Sequence, residues 1–170
     1  MARPSDLIVL GTLAAGLVLA AAIDLRTRRV PNPLTATLAA LGVAFAASGI
    51  SGLTVGTSLA GLVLGLAFML PGHVFGGTGA GDVKLFAAAG AVIGPAPIAT
   101  AFLYTALAGG VMALAIAASR GRLHRTLGRT AQLVASGGSN AAVIEAPIEN
   151  NRFPYAPAIA VGCVIASLGL

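Results

Sequence analysis

Charge is what this chain has least of. Only 9% of its 170 residues are Asp, Glu, Lys or Arg, against 57% hydrophobic. A soluble domain of this length needs a polar shell, and there is too little polar surface here to make one. Lipid or neighbouring helices are therefore the solvent for most side chains. Cysteine is nearly absent as well. The single one, Cys163, lies in an apolar run, which excludes a disulfide framework and a thiolate metal site and leaves a small buried hydrophobe. Aromatic residues reach only 5%, and the basic residues flank apolar spans, so the net charge of +5 orients helices and does not mark a nucleic-acid binder. His73 and His124 have no ligand spacing around them, so no metal and no other cofactor is expected.

What is present is a series of apolar runs rich in Ala, Leu and Gly. They lack polar alternation, which selects helices over a closed barrel. The spans expected are Leu7 to Ile23, about Leu34 to Ala47, Thr54 to Leu70, a short helix from Asp82 to Ile93, Pro97 to about Ala118, and about Pro154 to Leu170. Ser5 or Asp6 can cap the first. Arg26, Arg28 and Arg29 follow that run and only Arg3 precedes it, which favours a retained helix over a cleaved signal peptide. Pro31 and Pro33 break the backbone before the second span, and Pro71-Gly72 ends the third. Gly61 and Gly65, spaced as GxxxG, suit helices whose backbones approach closely. The expectation is one all-α, polytopic membrane domain over residues 1–170, with about six transmembrane helices and a cytoplasmic basic, flexible loop at about 120–152.

Alternating helix direction gives a test by charge. If the first helix ends inside, segments 24 to 33, 71 to 84 and 119 to 153 face inward and hold every Lys and Arg except Arg3. The turns near 50 and 95 then face outward and carry no charge, and both termini lie outside. One consequence concerns the three Asp residues. Asp24 ends the first span and Asp82 begins the fourth, so both carboxylates sit at the inner face, while Asp6 lies at the other. Ionisable groups at the edges of apolar helices are expensive to bury and tend to mark function. The structural alternatives are pairing of Asp24 with Arg28 one turn on, and Asp82 as a helix cap or a partner of Lys84.

The segment Gly76-Gly77-Thr78-Gly79-Ala80-Gly81 leads into Asp82. Its Gly76 and Gly81 have the spacing of a phosphate loop, but Asp82 stands where that loop needs Lys and would repel phosphate. Gly79 and Gly81 instead read as steric permission for an extended peptide or a second carboxylate to approach. Two close carboxylates share one proton and can activate a water between them, one as general base and one as general acid. Helix-end electrostatics assign the base to Asp82, at a helix N-terminus near Lys84, and the acid to Asp24, at a C-terminal end.

Gly79-Ala80-Gly81-Asp82-Val83-Lys84 resembles the GxGDxK signature of type IV prepilin peptidases, which are GxGD membrane aspartic proteases. Asp24-Leu25-Arg26-Thr27-Arg28-Arg29-Val30-Pro31-Asn32-Pro33-Leu34-Thr35 resembles that family's first-aspartate motif. Arg152-Phe153-Pro154-Tyr155-Ala156-Pro157-Ala158-Ile159-Ala160 resembles its last-helix segment. The resemblance implies an aspartic endopeptidase of the bacterial inner membrane that removes the short basic leader of a prepilin at the cytoplasmic face, just before the pilin's apolar N-terminal helix. It implies Asp24 and Asp82 as the catalytic pair, with Gly79, Gly81, Lys84, Arg28, Pro31 and Asn32 as supporting motif residues. Pro154, Tyr155 and Pro157 become candidates for substrate contact or packing. The chain lacks the cytoplasmic segment, often with paired cysteines, that larger members use for N-methylation. It is thus similar to the short form of tight-adherence (Flp) pilus systems, without methyltransferase activity. A homo-oligomer is compatible with the sequence.

Other readings are an archaeal-type preflagellin peptidase, a small ion- or proton-coupled transporter with the aspartates as ion ligands, and a structural membrane partner. Between Arg120 and Val134, Leu123, Leu127 and Val134 can share a helical face beside Arg122, Arg125 and Arg129, as in an interfacial helix or a positive-inside tether. Residues 136 to 151 read as a loop, with Glu145 and Glu149 solvated in it.

Overall fold

The computed structural model describes residues 4–119 and 154–169, and among them there are helices and short turns but no strand. Six helices follow in order: α1 (Pro4–Thr27), α2 (Asn32–Ala47), α3 (Val55–Val74), α4 (Ala80–Ile93), α5 (Pro95–Ser119) and α6 (Ala156–Ser167). The all-α expectation is met among the described residues. Three stretches, Ser5–Thr27, Val55–Val74 and Pro95–Ile116, are long and apolar enough to cross a membrane, and α2 and α6 are shorter apolar helices. The chain forms two compact units, Met1–Gly109 with Pro154–Leu170, and Gly110–Phe153. Described residues of the second are 110–119, which continue α5. The basic stretch, with His124, and the loop expected at about 120–152 lie outside the described residues.

Local sequence explains most helix ends, and several differ from expectation. Pro4 opens α1 ahead of Ser5 and Asp6, in a first turn whose amide hydrogens have no helical partner to lose. At its other end α1 runs past Ile23 to Thr27 and stops at Arg28, whose φ of 54° is the left-handed cap conformation usually left to glycine. The Arg28 N–H donates to the Asp24 carbonyl at 2.7 Å. Helix α3 starts on a reciprocal cap, Thr54 Oγ1 accepting from Thr57 N–H and Thr57 Oγ1 from Thr54 N–H. It continues through Pro71 to Val74 because the chain beyond the proline is tied back: Phe75 N–H donates to the Pro71 carbonyl, and Gly77 and Thr78 N–H to that of Gly72. His73 Nδ1 lies 2.9 Å from the Thr78 carbonyl, a bond that fixes the loop to the end of α3 and requires the proton on Nδ1. Helix α4 begins at Ala80, so Asp82 is its third residue and not its first.

Burial separates α4 from its neighbours. Along α1 the buried positions are Val9, Leu13, Leu17, Ala20 and Asp24, and along α2 Thr35, Leu38, Gly42 and Ala46. In α3 they are Ser58, Gly61, Gly65 and Met69, and in the first part of α5 Ile98, Ala101, Thr105 and Gly109. Steps of three and four make one narrow inward stripe per helix, with apolar side chains elsewhere facing out. Helix α4 has no outward face after Lys84: every residue from Leu85 to Val92 is buried. It packs against α1, α2, α3 and α6, and the Phe86 ring meets Phe102 of α5 edge-on while Phe102 stacks on Phe68 of α3.

Glycines let these backbones touch. A Cβ on Gly61 would strike the Gly90 carbonyl oxygen, one on Gly65 would lie 2.9 Å from the Phe86 carbonyl oxygen, and one on Gly42 2.7 Å from the Ala91 carbonyl carbon. The GxxxG spacing in α3 is thus a close-approach face against α4. Ser58 Oγ donates to the Ala91 carbonyl at 2.7 Å, so the start of α3 lies by the end of α4 and the two run antiparallel.

Candidate active site

Asp24 completes the inward stripe of α1. One stripe position follows another until the last, at the end of the helix, is a carboxylate, leaving Asp24 4% exposed. Its Oδ2 accepts a hydrogen bond from the Ala156 backbone N–H, the first helical residue of α6, at 3.2 Å, and the Tyr155 amide also bonds to it. The start of α6 leaves amide hydrogens without helical acceptors, and Asp24 supplies one. Pro157 sits at the second position of α6, where a residue without N–H costs the helix nothing.

Asp82 is 7% exposed in the first turn of α4. Its Oδ2 accepts from the Gly79 N–H at 3.2 Å, half of a capping box whose return bond a glycine cannot make. Asp24 and Asp82 are near enough for the charge of one to act on the other. The two predicted carboxylates thus stand on different helices of the same compact unit, within electrostatic range of one another.

The two aspartate motifs also meet through their flanks. Val30 is buried, and a Cβ on Gly81 would lie 3.0 Å from the Val30 Cβ and 3.2 Å from its carbonyl oxygen. Lys84 Nζ donates to Asn32 Oδ1 at 3.0 Å. So the turn after Asp24 is pressed against the first turn of α4 by one contact that needs glycine and tied to it by one hydrogen bond. Gly81 makes room for Val30 of this chain, and Gly79 for the carboxylate of Asp82, whose Oδ2 lies 3.0 Å from where a Cβ would be. The close neighbours of both glycines thus belong to this chain.

Pro31, at φ −66° and ψ 134°, is the extended residue that caps α2, and its carbonyl accepts the Thr35 N–H. Arg28 is exposed at the helix stop. Lys84 bonds to Asn32, not to Asp82, and Asp24 has its carboxylate on α6. The expectation that helix ends would separate the two carboxylates also fails: Asp24 ends α1 but faces the N-terminus of α6, so each carboxylate meets a helix start. Pro154 and Tyr155 are half-buried immediately before α6. Sequence reasoning missed the Ala156 amide and Val30. A signal for the first existed, since a proline pair around Tyr155-Ala156 marks a helix start with unpaired amides.

Among the described residues no group of three or more His, Cys, Asp or Glu could hold a metal ion. The site presents a pair of buried carboxylates, each hydrogen-bonded to a backbone amide, a donor and acceptor set suited to proton transfer to and from a water. No curated protein and no solved structure matches the chain. A family model does, over residues 11–114, more than half of the chain and including both aspartates, and the chain thus belongs to the type IV leader peptidase family.

Proposed function

We propose that this protein is a membrane aspartic endopeptidase that removes the leader from type IV prepilins of the Flp kind, with Asp24 and Asp82 as its catalytic pair. The observation that carries the reading is the meeting of two buried carboxylates from different helices inside a chain of the leader peptidase family. One carboxylate removes a proton from a water, and the resulting hydroxide attacks the scissile carbonyl carbon. The other, protonated, donates to the carbonyl oxygen. Collapse of the tetrahedral intermediate then passes a proton to the leaving amine and returns the pair to its starting state.

Six spans in a bacterial inner membrane, with the carboxylate end facing the cytoplasm and both termini outside, fit the placement of the basic residues. The substrate is then a prepilin whose basic leader stays at the cytoplasmic surface while its apolar helix lies in the bilayer. The test is mass mapping of the products when membranes containing this protein meet an Flp-type prepilin. A single new N-terminus just before the apolar segment is expected. An intact prepilin, or ion flux in its place, would contradict the reading.

A further inference from the structure

The start of α6 lies outside the segment matched to the family, yet it holds one of the two carboxylates. The Ala156 amide can reach Asp24 only if α6 begins at one fixed place, and its anchors are on α5. The Tyr155 ring fills the space beside Gly109, where a Cβ would lie 2.5 Å from Cε2 and 2.8 Å from the hydroxyl oxygen. The Tyr155 hydroxyl reaches the Thr105 carbonyl at 3.5 Å. One turn and a half into α6, Gly162 lies against Thr105 so closely that a Cβ there would strike Thr105 Oγ1. That hydroxyl is buried and has no hydrogen-bond partner among the described residues.

We propose that Tyr155 is a positioning residue: seated on Gly109, it sets the start of α6 so that the Ala156 amide holds Asp24 in its working orientation. The ring supplies rigid area with few rotamers to fix, and the residue it places is the next one in the chain. Tyr155 thereby acts through Asp24 and not on the substrate. The proposal rests on the proposed peptidase reading.

The test uses the purified full-length protein in lipid, with a synthetic prepilin and separate measurement of kcat and KM. Tyr155→Ala and Gly109→Ala, the first removing the ring and the second pushing it away, are expected to lower kcat by about 10- to 100-fold with KM changed by less than about twofold. Tyr155→Phe keeps the ring and is expected to restore kcat to within about threefold of the parent. Should Tyr155→Ala fail to fold, Gly109→Ala and Tyr155→Leu carry the comparison. A loss confined to KM would make Tyr155 a substrate contact and overturn the proposal, as would a kcat unchanged in folded variants. Asp24→Asn is run alongside. If it is inactive while the Tyr155 variants keep full kcat, only the positioning role falls; if it cleaves normally, the peptidase reading falls.

Discussion

At the scale of single residues, the two motif glycines make different demands although only Ala80 separates them. The Cβ of Gly81→Ala meets the backbone and Cβ of Val30, which cannot move without shifting the turn that follows Asp24. The Cβ of Gly79→Ala meets only a carboxylate oxygen, and its φ of −73° is open to any residue. Overpacking of the first kind costs about 1–3 kcal/mol. Gly81→Ala is therefore expected to lower leader cleavage at least about tenfold in folded protein and Gly79→Ala much less, measured by prepilin processing at equal expression. Equal effects would show that Val30 does not set the site. The aspartates and both glycines were legible in the sequence, as rare charges and as a motif. Their partners were not: Val30, Ala156 and Gly109 are ordinary apolar residues whose importance is created by what packs against them.

At the scale of helices, the element order was legible because Pro, Gly and Ser-Gly turns punctuate long apolar runs. Several boundaries shifted, and the end of α3 did so for a reason local propensity does not weigh. Pro71 ends a helix in isolation, but hydrogen bonds to the carbonyls of Pro71 and Gly72 carry α3 on to Val74. The central place of α4 was also hidden. A helix buried on every side has no hydrophobic stripe to read, and its run of Ala, Gly and Val resembles any lipid-facing span. The α3–α4 contact gives the prediction at this scale. Gly61→Ala drives a methyl into the Gly90 carbonyl and is expected to destabilise the protein in detergent by about 1–3 kcal/mol. Ser58→Ala, which loses the buried bond to Ala91, is expected to cost about 0.6 kcal/mol. Thermal unfolding monitored by helical circular dichroism ranks the two, and a reversed order would mean that the hydrogen bond and not the close approach holds the pair.

For the molecule as a whole, the run of apolar helices was the most legible property, three of them long and apolar enough to cross a membrane, and orientation rests on charge alone. Ser48 lies in the uncharged α2–α3 turn and Arg29 in the basic α1–α2 turn, and both are exposed. In intact cells, a membrane-impermeant maleimide is expected to label Ser48→Cys and to reach Arg29→Cys only after the membrane is opened. The native Cys163 is buried in α6 and stays unlabelled in both. Labelling of Arg29→Cys in intact cells would invert the proposed topology and place the carboxylates outside.

The most direct measurement of the central claim compares all three aspartates in one assay. Purified protein in lipid is mixed in excess with a synthetic prepilin, and the cleavage rate is followed by mass spectrometry for Asp24→Asn, Asp82→Asn, the double variant and Asp6→Asn. Groups that act as a unit lose together, so each of the first two is expected to fall by at least about 10²–10⁴-fold and the double variant little further. Asp6, in the first turn of α1 at the opposite end of that helix from Asp24, is expected to be dispensable. Cleavage by Asp24→Asn or Asp82→Asn at more than about a tenth of the parent rate would contradict the account.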